Sequence, residues 1–327
     1  MHTASGPGAE AKAPRRRIKL SAVLAAVAVL VLAVALWRSD PREAARELAR
    51  VPFGHIALVV GLVLLGYALR FAKWHLFLRR LGTAVPLGRS AAIFTSGLLM
   101  VVTPAKVGEV WKALALKETD DIPVARGLGA VALERLTDLA AIGALALLGA
   151  AALGLAPWLA AGAMVAFAAG VLLLRWRRPW LALLARLEAR RPGSRPVAFL
   201  HALYLDTASL LSLSTLGLGA AFGLAAWALE GLALWVILDG LGVAASPVWA
   251  VGVFAAATLA GGLSILPGGV GTAEAGMVAL LVAGDVASST AFAATLLVRV
   301  LTLGFGAALG GACYALWSWR AKSALVR

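Results

Sequence analysis

Thr103-Pro-Ala-Lys-Val-Gly108 and Leu266-Pro-Gly-Gly-Val-Gly271 are the two stretches on which the fold turns. They share Pro, Val and Gly in register, 163 residues apart, and each ends an apolar run with residues that break a helix. The run before the first, Ser90 to Val102, has 13 residues, short of the roughly 17 to 25 that a spanning helix needs. It reads as a re-entrant half-helix broken at Pro104, with Val107 to Leu116 as its return arm. Val248 to Leu266, the break at Pro267 and Val270 to Val282 read the same way. Around the breaks lie apolar runs long enough to cross a bilayer: Leu20 to Trp37, Phe53 to Lys73, Gly129 to Leu153, Pro157 to Leu174, Ser214 to Leu238 and Ser288 to Ser318. The expected fold is an all-α polytopic membrane protein. Its two halves form an inverted-topology repeat, the first break dipping in from the cytoplasm and the second from outside.

Composition agrees. Of 327 residues, 61% are hydrophobic and 14% charged, which excludes an ordinary soluble domain. A net charge of +14 would suggest nucleic acid in a soluble protein, but here the placement of the cations matters more. The inferred inner segments hold 24 of the 30 Lys and Arg, and only four lie outside, between Trp37 and Val51. The positive-inside rule then puts both termini in the cytoplasm, with no nucleic-acid partner. The organisation read from these signals is one membrane domain over 1–327. It has a cytoplasmic tail at 1–19, a first repeat half at 51–153, a basic cytoplasmic loop at 175–199 and a second half at 200–318. Arg38 to Arg50 reads as a short amphipathic outer helix, and Ala33-Val34-Ala35 leaves a cleaved signal peptide as the rival to a first span. Trp180 to Glu188 fits an interfacial helix over anionic lipid, or a solvated loop that only sets topology.

Several ionisable residues fall within the membrane region, where each costs roughly 2.5 to 3.5 kcal/mol on insertion scales. Lys106, Glu109 and Lys112 are spaced to touch along one arm, and Glu134, Arg135 and Asp138 are spaced to face the same inner cavity. Lys106 and Arg135 are candidates to hold a lipid phosphate, and Gly268, Gly269 and Gly271 to admit a headgroup closely. Towards the outside, Glu230, Glu274 and Arg299 form a candidate gate, with Glu274 the favoured partner of Arg299. The alternative is that these charges neutralise one another and lock the halves together, and that the glycines only pack helices. No metal or other cofactor is expected. The single Cys313 excludes an intrachain disulfide, the four His are scattered, and there is no Walker-type phosphate loop.

The run Thr103 to Glu109, then Glu134-Arg-Leu-Thr-Asp138, then Leu266 to Glu274, resembles the flippase-like membrane region of the lysylphosphatidylglycerol synthase family. The likeness covers nearly the whole chain after the N-terminal tail, with Ala105 where relatives often have glycine. The resemblance implies movement of a lipid between leaflets, or handling of lipid-linked sugars or hopanoids. Phospholipid, polyprenyl-linked lipid or hopanoid would be the partner, with a separate lipid-modifying enzyme or a second copy of the chain as further candidates. The sequence ends nine residues beyond Ser318, without the aminoacyltransferase domain of the family's enzymes, so synthesis of lysylphosphatidylglycerol is not expected. High Ala, Gly, Arg and Leu usage points to a bacterial inner membrane. Two further readings stay open: a membrane enzyme using Glu109, Glu134 or Asp138 as acid or base, and a non-catalytic partner of a glycosyltransferase.

Overall fold

The computed structural model describes residues 41–102, 109–152, 157–264 and 269–325. The expectations for the 1–19 tail, the Leu20 to Trp37 span, Pro104, Lys106, Pro267 and Gly268 lie outside the described residues. Among those described, every regular element is helical. The order is α1 (Pro41–Arg50), α2 (Phe53–Arg80), α3 (Leu87–Leu98) with a 3-10 turn at Leu99–Val102, and α4 (Val110–Asp120). Then come α5 (Val124–Ala152), α6 (Pro157–Arg175), α7 (Arg177–Arg190), α8 (Arg195–Leu210) and α9 (Leu213–Gly240). The chain closes with α10 (Pro247–Leu263), α11 (Thr272–Ala283), α12 (Ser288–Arg299), a π turn at Val300–Gly304, and α13 (Phe305–Leu325).

Among the described residues, three stretches are long and apolar enough to cross a membrane: Phe53–Arg80, Leu213–Gly240 and Ser288–Trp319. Exposed Phe53, Trp158, Trp176 and Trp319 stand at helix ends, where aromatic residues favour the bilayer interface. This is an all-α membrane protein.

Helix bounds recur at a constant offset. Arg50 and Leu210, Phe53 and Leu213, Arg80 and Gly240, and Leu87 and Pro247 are each 160 residues apart and bound corresponding helices. α1 and α8 thus precede the two long helices in the same way. Both long helices stop in the same way. Gly82 and Gly242 take φ of +71° and +77°, and the N–H groups of Thr83 and Val243 donate back to the carbonyls of Leu78 and Leu238. A left-handed glycine of this kind satisfies the last carbonyls and turns the chain. Beyond the breaks, Asp121 and Asp285 both carry positive φ, at 53° and 64°, between the return arm and the next long helix.

Packing between halves is reciprocal. α3 lies on α13 and α10 on α5, α1 lies on α12 and α8 on α5, and α2 pairs with α9. Such reciprocity is what a two-fold axis produces. The α2–α9 pair shows the direction of that axis. His55 Nε2 lies 3.1 Å from Asp239 Oδ2 at one end, a Cβ at Gly66 would meet the Ala226 carbonyl at 3.5 Å in the middle, and Arg80 donates to Thr215 Oγ1 at 3.5 Å at the other end. The two helices therefore run antiparallel and cross at residues 66 and 226, which are corresponding positions.

One apolar core gathers Val59, Val63 and Tyr67 of α2 with α9 to α12. The other gathers Trp74, Phe77 and Leu78 with α3, α4 and α5. Arg70 and Lys73 lie between them. The sequence reading ends the second span at Lys73, but the helix continues to Arg80 and buries Lys73, Trp74, Phe77 and Leu78. These aromatic and aliphatic side chains find a helical partner surface, so the basic flank begins only at Arg79.

Candidate functional site

α2 presents Tyr67, Arg70 and Lys73 at helical spacing toward α5 and α9, and this strip organises the site. Lys73 is fully buried and donates to Asp138 Oδ1 at 2.5 Å and to Thr137 Oγ1 at 3.4 Å. Arg70 Nη2 lies 2.8 Å from Glu230 Oε1, and its guanidinium sits 4.0 Å from the centre of the Trp227 ring. Trp227 Nε1 in turn donates to Asp138 Oδ1 at 3.1 Å. Arg70 and Glu230, which pair with each other, are 160 residues apart, as are Tyr67 and Trp227.

Both breaks are tied to the following long helix by a Glu–Arg pair. At the first, Arg135 Nε lies 3.1 Å from Glu109 Oε2, and Arg135 also reaches Asp138 at 3.2 Å. At the second, Arg299 Nε donates to Glu274 Oε1 at 2.6 Å, while Glu274 Oε2 accepts from the Gly271 N–H at 2.5 Å. The π turn follows Arg299 directly, and within it the Thr302 carbonyl accepts from the Tyr67 hydroxyl at 2.6 Å. A Cβ at Gly306 would lie 2.4 Å from that hydroxyl, so glycine makes the approach possible.

The first half adds a pair of its own. Lys112 is bonded to Glu134, both nearly fully buried, and its ammonium lies 4.4 Å from the Trp74 ring centre. A Cβ at Gly97 would press on the Lys112 stem at 3.0 Å.

These side chains enclose a cavity of about 130 Å³, several times what one buried water requires. Its walls include Arg70, Lys112, Arg135 and Arg299 on the cationic side and Glu109, Glu134, Asp138 and Glu230 on the anionic side, contributed by both halves. Among the described residues no group of His, Cys, Asp and Glu has the clustering of a metal site. The arrangement suits a group carrying charge or many hydrogen-bonding atoms. Every carboxylate in it already faces a cation.

Several pairings differ from the sequence expectation. Glu109 and Lys112 do not pair along α4. Each is drawn instead to α5, because the arm packs against that helix and Arg135 and Glu134 project from adjacent positions. Glu230 forms its close ion pair with Arg70, and Glu274 with Arg299. Gly269 and Gly271 take φ of +68° and +89°, and a Cβ at Gly269 would lie 2.8 Å from the Gly261 backbone. They serve the turn and the packing, whereas the glycines on the cavity wall are Gly97, Gly261, Gly262 and Gly306.

The residues missed by sequence reasoning are Arg70, Lys73, Tyr67 and Trp227. A signal was present: Arg70 and Lys73 lie three apart within a 28-residue helix, with no carboxylate of their own helix to neutralise them. The positive-inside count absorbed them as span-end cations.

Comparison with known proteins agrees with the fold. Residues 21–310 match the family described as the lysylphosphatidylglycerol synthase TM region. The chain is 28% identical over 308 residues to a protein named UPF0104 membrane protein from Methanothermobacter thermautotrophicus, covering 88% of this chain and 91% of that one. It is also 30% identical over 305 residues to a protein named Glycosyltransferase AglD from Haloferax volcanii. That match covers 79% of this chain but spans only 48% of the glycosyltransferase. With the family pattern running through both long antiparallel helices, both break regions and the charged cavity between them, the chain belongs to the lysylphosphatidylglycerol synthase transmembrane-region family.

Proposed function

We propose that the protein moves the headgroup of an amphiphilic lipid between leaflets while the tails stay in the bilayer. The observation that carries this reading is the mixed-charge cavity, walled by both halves, at the centre of two antiparallel apolar helices. Corresponding spans that run antiparallel support halves of opposite orientation, an inverted repeat with re-entrant broken arms. Inverted repeats around a central polar site support alternating access. Phospholipid, polyprenyl-linked lipid and hopanoid all have the required form. The protein would act in the inner membrane as a multi-pass chain with both termini cytoplasmic, driven by a gradient or by lipid supply. The Glu274–Arg299 pair is the gate in this mechanism, since opening it would free the second break from the last span.

The test is translocation of fluorescent phosphatidylglycerol in liposomes, read by the fraction that an impermeant reductant bleaches. Wild-type protein should raise the exchange rate at least tenfold over protein-free liposomes. Glu274→Gln should abolish that gain while its circular dichroism stays helical. No gain from wild-type protein, or full activity in Glu274→Gln, would sink the transport reading or its gate respectively.

The Haloferax relative favours a second reading, in which this membrane region works beside a lipid-modifying catalytic partner. Retention of such an enzyme on purification, with no exchange by this chain alone, would select it. New lipid chemistry from purified protein would select the membrane enzyme, with Glu109, Glu134 or Asp138 as acid or base.

A further inference from the structure

Among the described residues, the buried side-chain polar atoms without a hydrogen-bond partner are Nε and Nη2 of Arg70, Nε of Arg135, Nε1 of Trp74, and the hydroxyls of Ser96, Thr258 and Thr295. Every one belongs to a group that can donate, and none is a carboxylate oxygen. Arg70, Arg135 and Thr258 line the central cavity. Both arginines lie within charge-pairing distance of a carboxylate, 2.8 Å for Arg70 Nη2 to Glu230 and 3.1 Å for Arg135 Nε to Glu109. With those charge contacts counted, Arg70 Nε and the Thr258 hydroxyl are the cavity-lining donors left over. The carboxylates thus balance the charge without using up these donors. A buried donor left unmade costs roughly 1 to 3 kcal/mol, so a cavity holding both is short of acceptors.

We propose that Arg70 and Arg135 form the subsite for the phosphate oxyanion of the transported lipid, with the Thr258 hydroxyl as a further donor. This deepens the transport reading and rests on it. Guanidinium groups suit the task because their planar fork matches two phosphate oxygens. Arg70 is held for it by stacking on Trp227, and Arg135 by its contacts with Glu109 and Asp138. A cationic headgroup would instead need free carboxylate oxygens, and those in the cavity are already engaged with Lys73, Lys112 and the arginines. The headgroup class follows from the leftover donors rather than from net charge, which the paired acids bring close to zero.

The experiment uses the full chain in neutral maltoside micelles. These are doped with dioleoyl phosphatidic acid, with dioleoylglycerol, which has the same tails and no phosphate, or with the cationic lipid dioleoyl-trimethylammonium-propane. Inorganic phosphate alone is a fourth arm. The rise in thermal midpoint with ligand fraction gives apparent affinity. Phosphatidic acid should half-saturate at a fraction at least tenfold lower than either other lipid. Arg70→Gln should erase most of that preference, and Arg70→Lys should restore part of it. Because Arg70→Gln leaves Glu230 unpaired and risks misfolding, Arg70→Gln/Glu230→Gln provides the neutral control and should also lose the preference. Phosphatidic acid bound at the exposed basic surface of α7 would not respond to Arg70, so equal affinity in wild type and both Gln variants overturns the subsite. A preference for the cationic lipid overturns it as well, and inorganic phosphate matching phosphatidic acid overturns the lipid source. Phosphatidic acid held through Arg70 yet never exchanged in liposomes would sustain the subsite and sink transport. Exchange with binding unaffected by Arg70→Gln would do the reverse.

Discussion

The two halves share a frame and differ in what they bury. Each has an acid beside its break paired to an arginine on the next long helix, Glu109 with Arg135 and Glu274 with Arg299. Each sends an aromatic residue of its long helix across to the other half's last helix or the equivalent, Trp227 to Asp138 and Tyr67 to Thr302. The first half, however, carries Lys73, Lys112 and Glu134, where offsets of 160, 163 and 164 residues place Ala233, Ala275 and Val298 in the second. The second half builds the same helices and the same packing with apolar residues at these positions. The fold therefore does not need the extra charges. Buried pairs gain little over apolar residues of similar volume, so stability alone does not account for their presence on one side. Lys112 and Glu134 stand on the cavity wall and Lys73 holds the wall residue Asp138 from behind, which gives the first half its own affinity for a polar group.

The largest effect should come from splitting the pair unique to the first half. Lys112→Met leaves Glu134 buried without a cation and should lower stability by about 3 to 5 kcal/mol. Lys112→Met/Glu134→Leu, which makes this site resemble its apolar counterpart, should recover most of the loss in thermal or denaturant unfolding while lipid exchange stays impaired. A double variant as unstable as the single would show that the first half depends on the pair for folding, and the comparison would fail at that point.

A smaller effect separates the two helix crossings. α5 and α10 meet backbone to backbone, where a Cβ on Gly252 would sit 2.0 Å from Gly149 Cα. At the corresponding positions of α3 and α13 Cys313 Sγ lies 3.6 Å from the Ala92 carbonyl, and the close backbone approach falls a turn away at Gly310, where a Cβ would lie 2.4 Å from Leu99 N. Gly252→Ala should cost about 1 to 3 kcal/mol by overpacking, and Cys313→Ala less than about 1.5 kcal/mol. Equal costs would mean that the Gly–Gly contact relaxes easily and that the crossings are alike.

How much of this could be read from the sequence depends on how far apart the interacting residues are. The helices and the short arms were legible because apolar length and Pro/Gly punctuation are local signals, while the breaks at Pro104 and Pro267 lie outside the described residues. The second span runs seven residues past its expected end, to Arg80, because burial of Trp74 and Phe77 is decided by α3 to α5 rather than by local composition. Of the candidate site, Glu109, Lys112, Glu134, Arg135, Asp138, Glu230 and Arg299 all reach the cavity wall. Their partners were not legible. Which carboxylate Arg70 faces depends on the crossing point of α2 and α9, which hydrophobic periodicity does not encode. The repeat was seen through the breaks at an offset of 163, while the helices repeat at 160, so Arg70 and Glu230 were never set against each other. Aligning the Leu81-Gly82 and Leu241-Gly242 helix ends would have matched them.

The smallest effect is expected where the symmetry is closest. Arg70 and Glu230 occupy corresponding positions and pair with each other across the axis. A two-fold axis leaves such a pair in place when its members are exchanged. Arg70→Glu alone sets two carboxylates against each other in a buried site and should be strongly destabilising. Arg70→Glu/Glu230→Arg should return stability to within about 1 kcal/mol of wild type. A residual loss is expected because the arginine at 230 would stack on Tyr67 in place of Trp227, and tyrosine offers a weaker face to a cation by a fraction of a kcal/mol. Adding Tyr67→Trp and Trp227→Tyr should then recover part of it, although the Tyr67 bond to Thr302 and the Trp227 bond to Asp138 are lost together. A swap that stays as unstable as Arg70→Glu would mean that the surroundings of the pair, Asp138 and Lys73 on one side and the π turn on the other, have diverged too far for the axis to govern the site. Thermal unfolding of the three variants beside wild type separates these outcomes, since the axis requires the second substitution to repair the first.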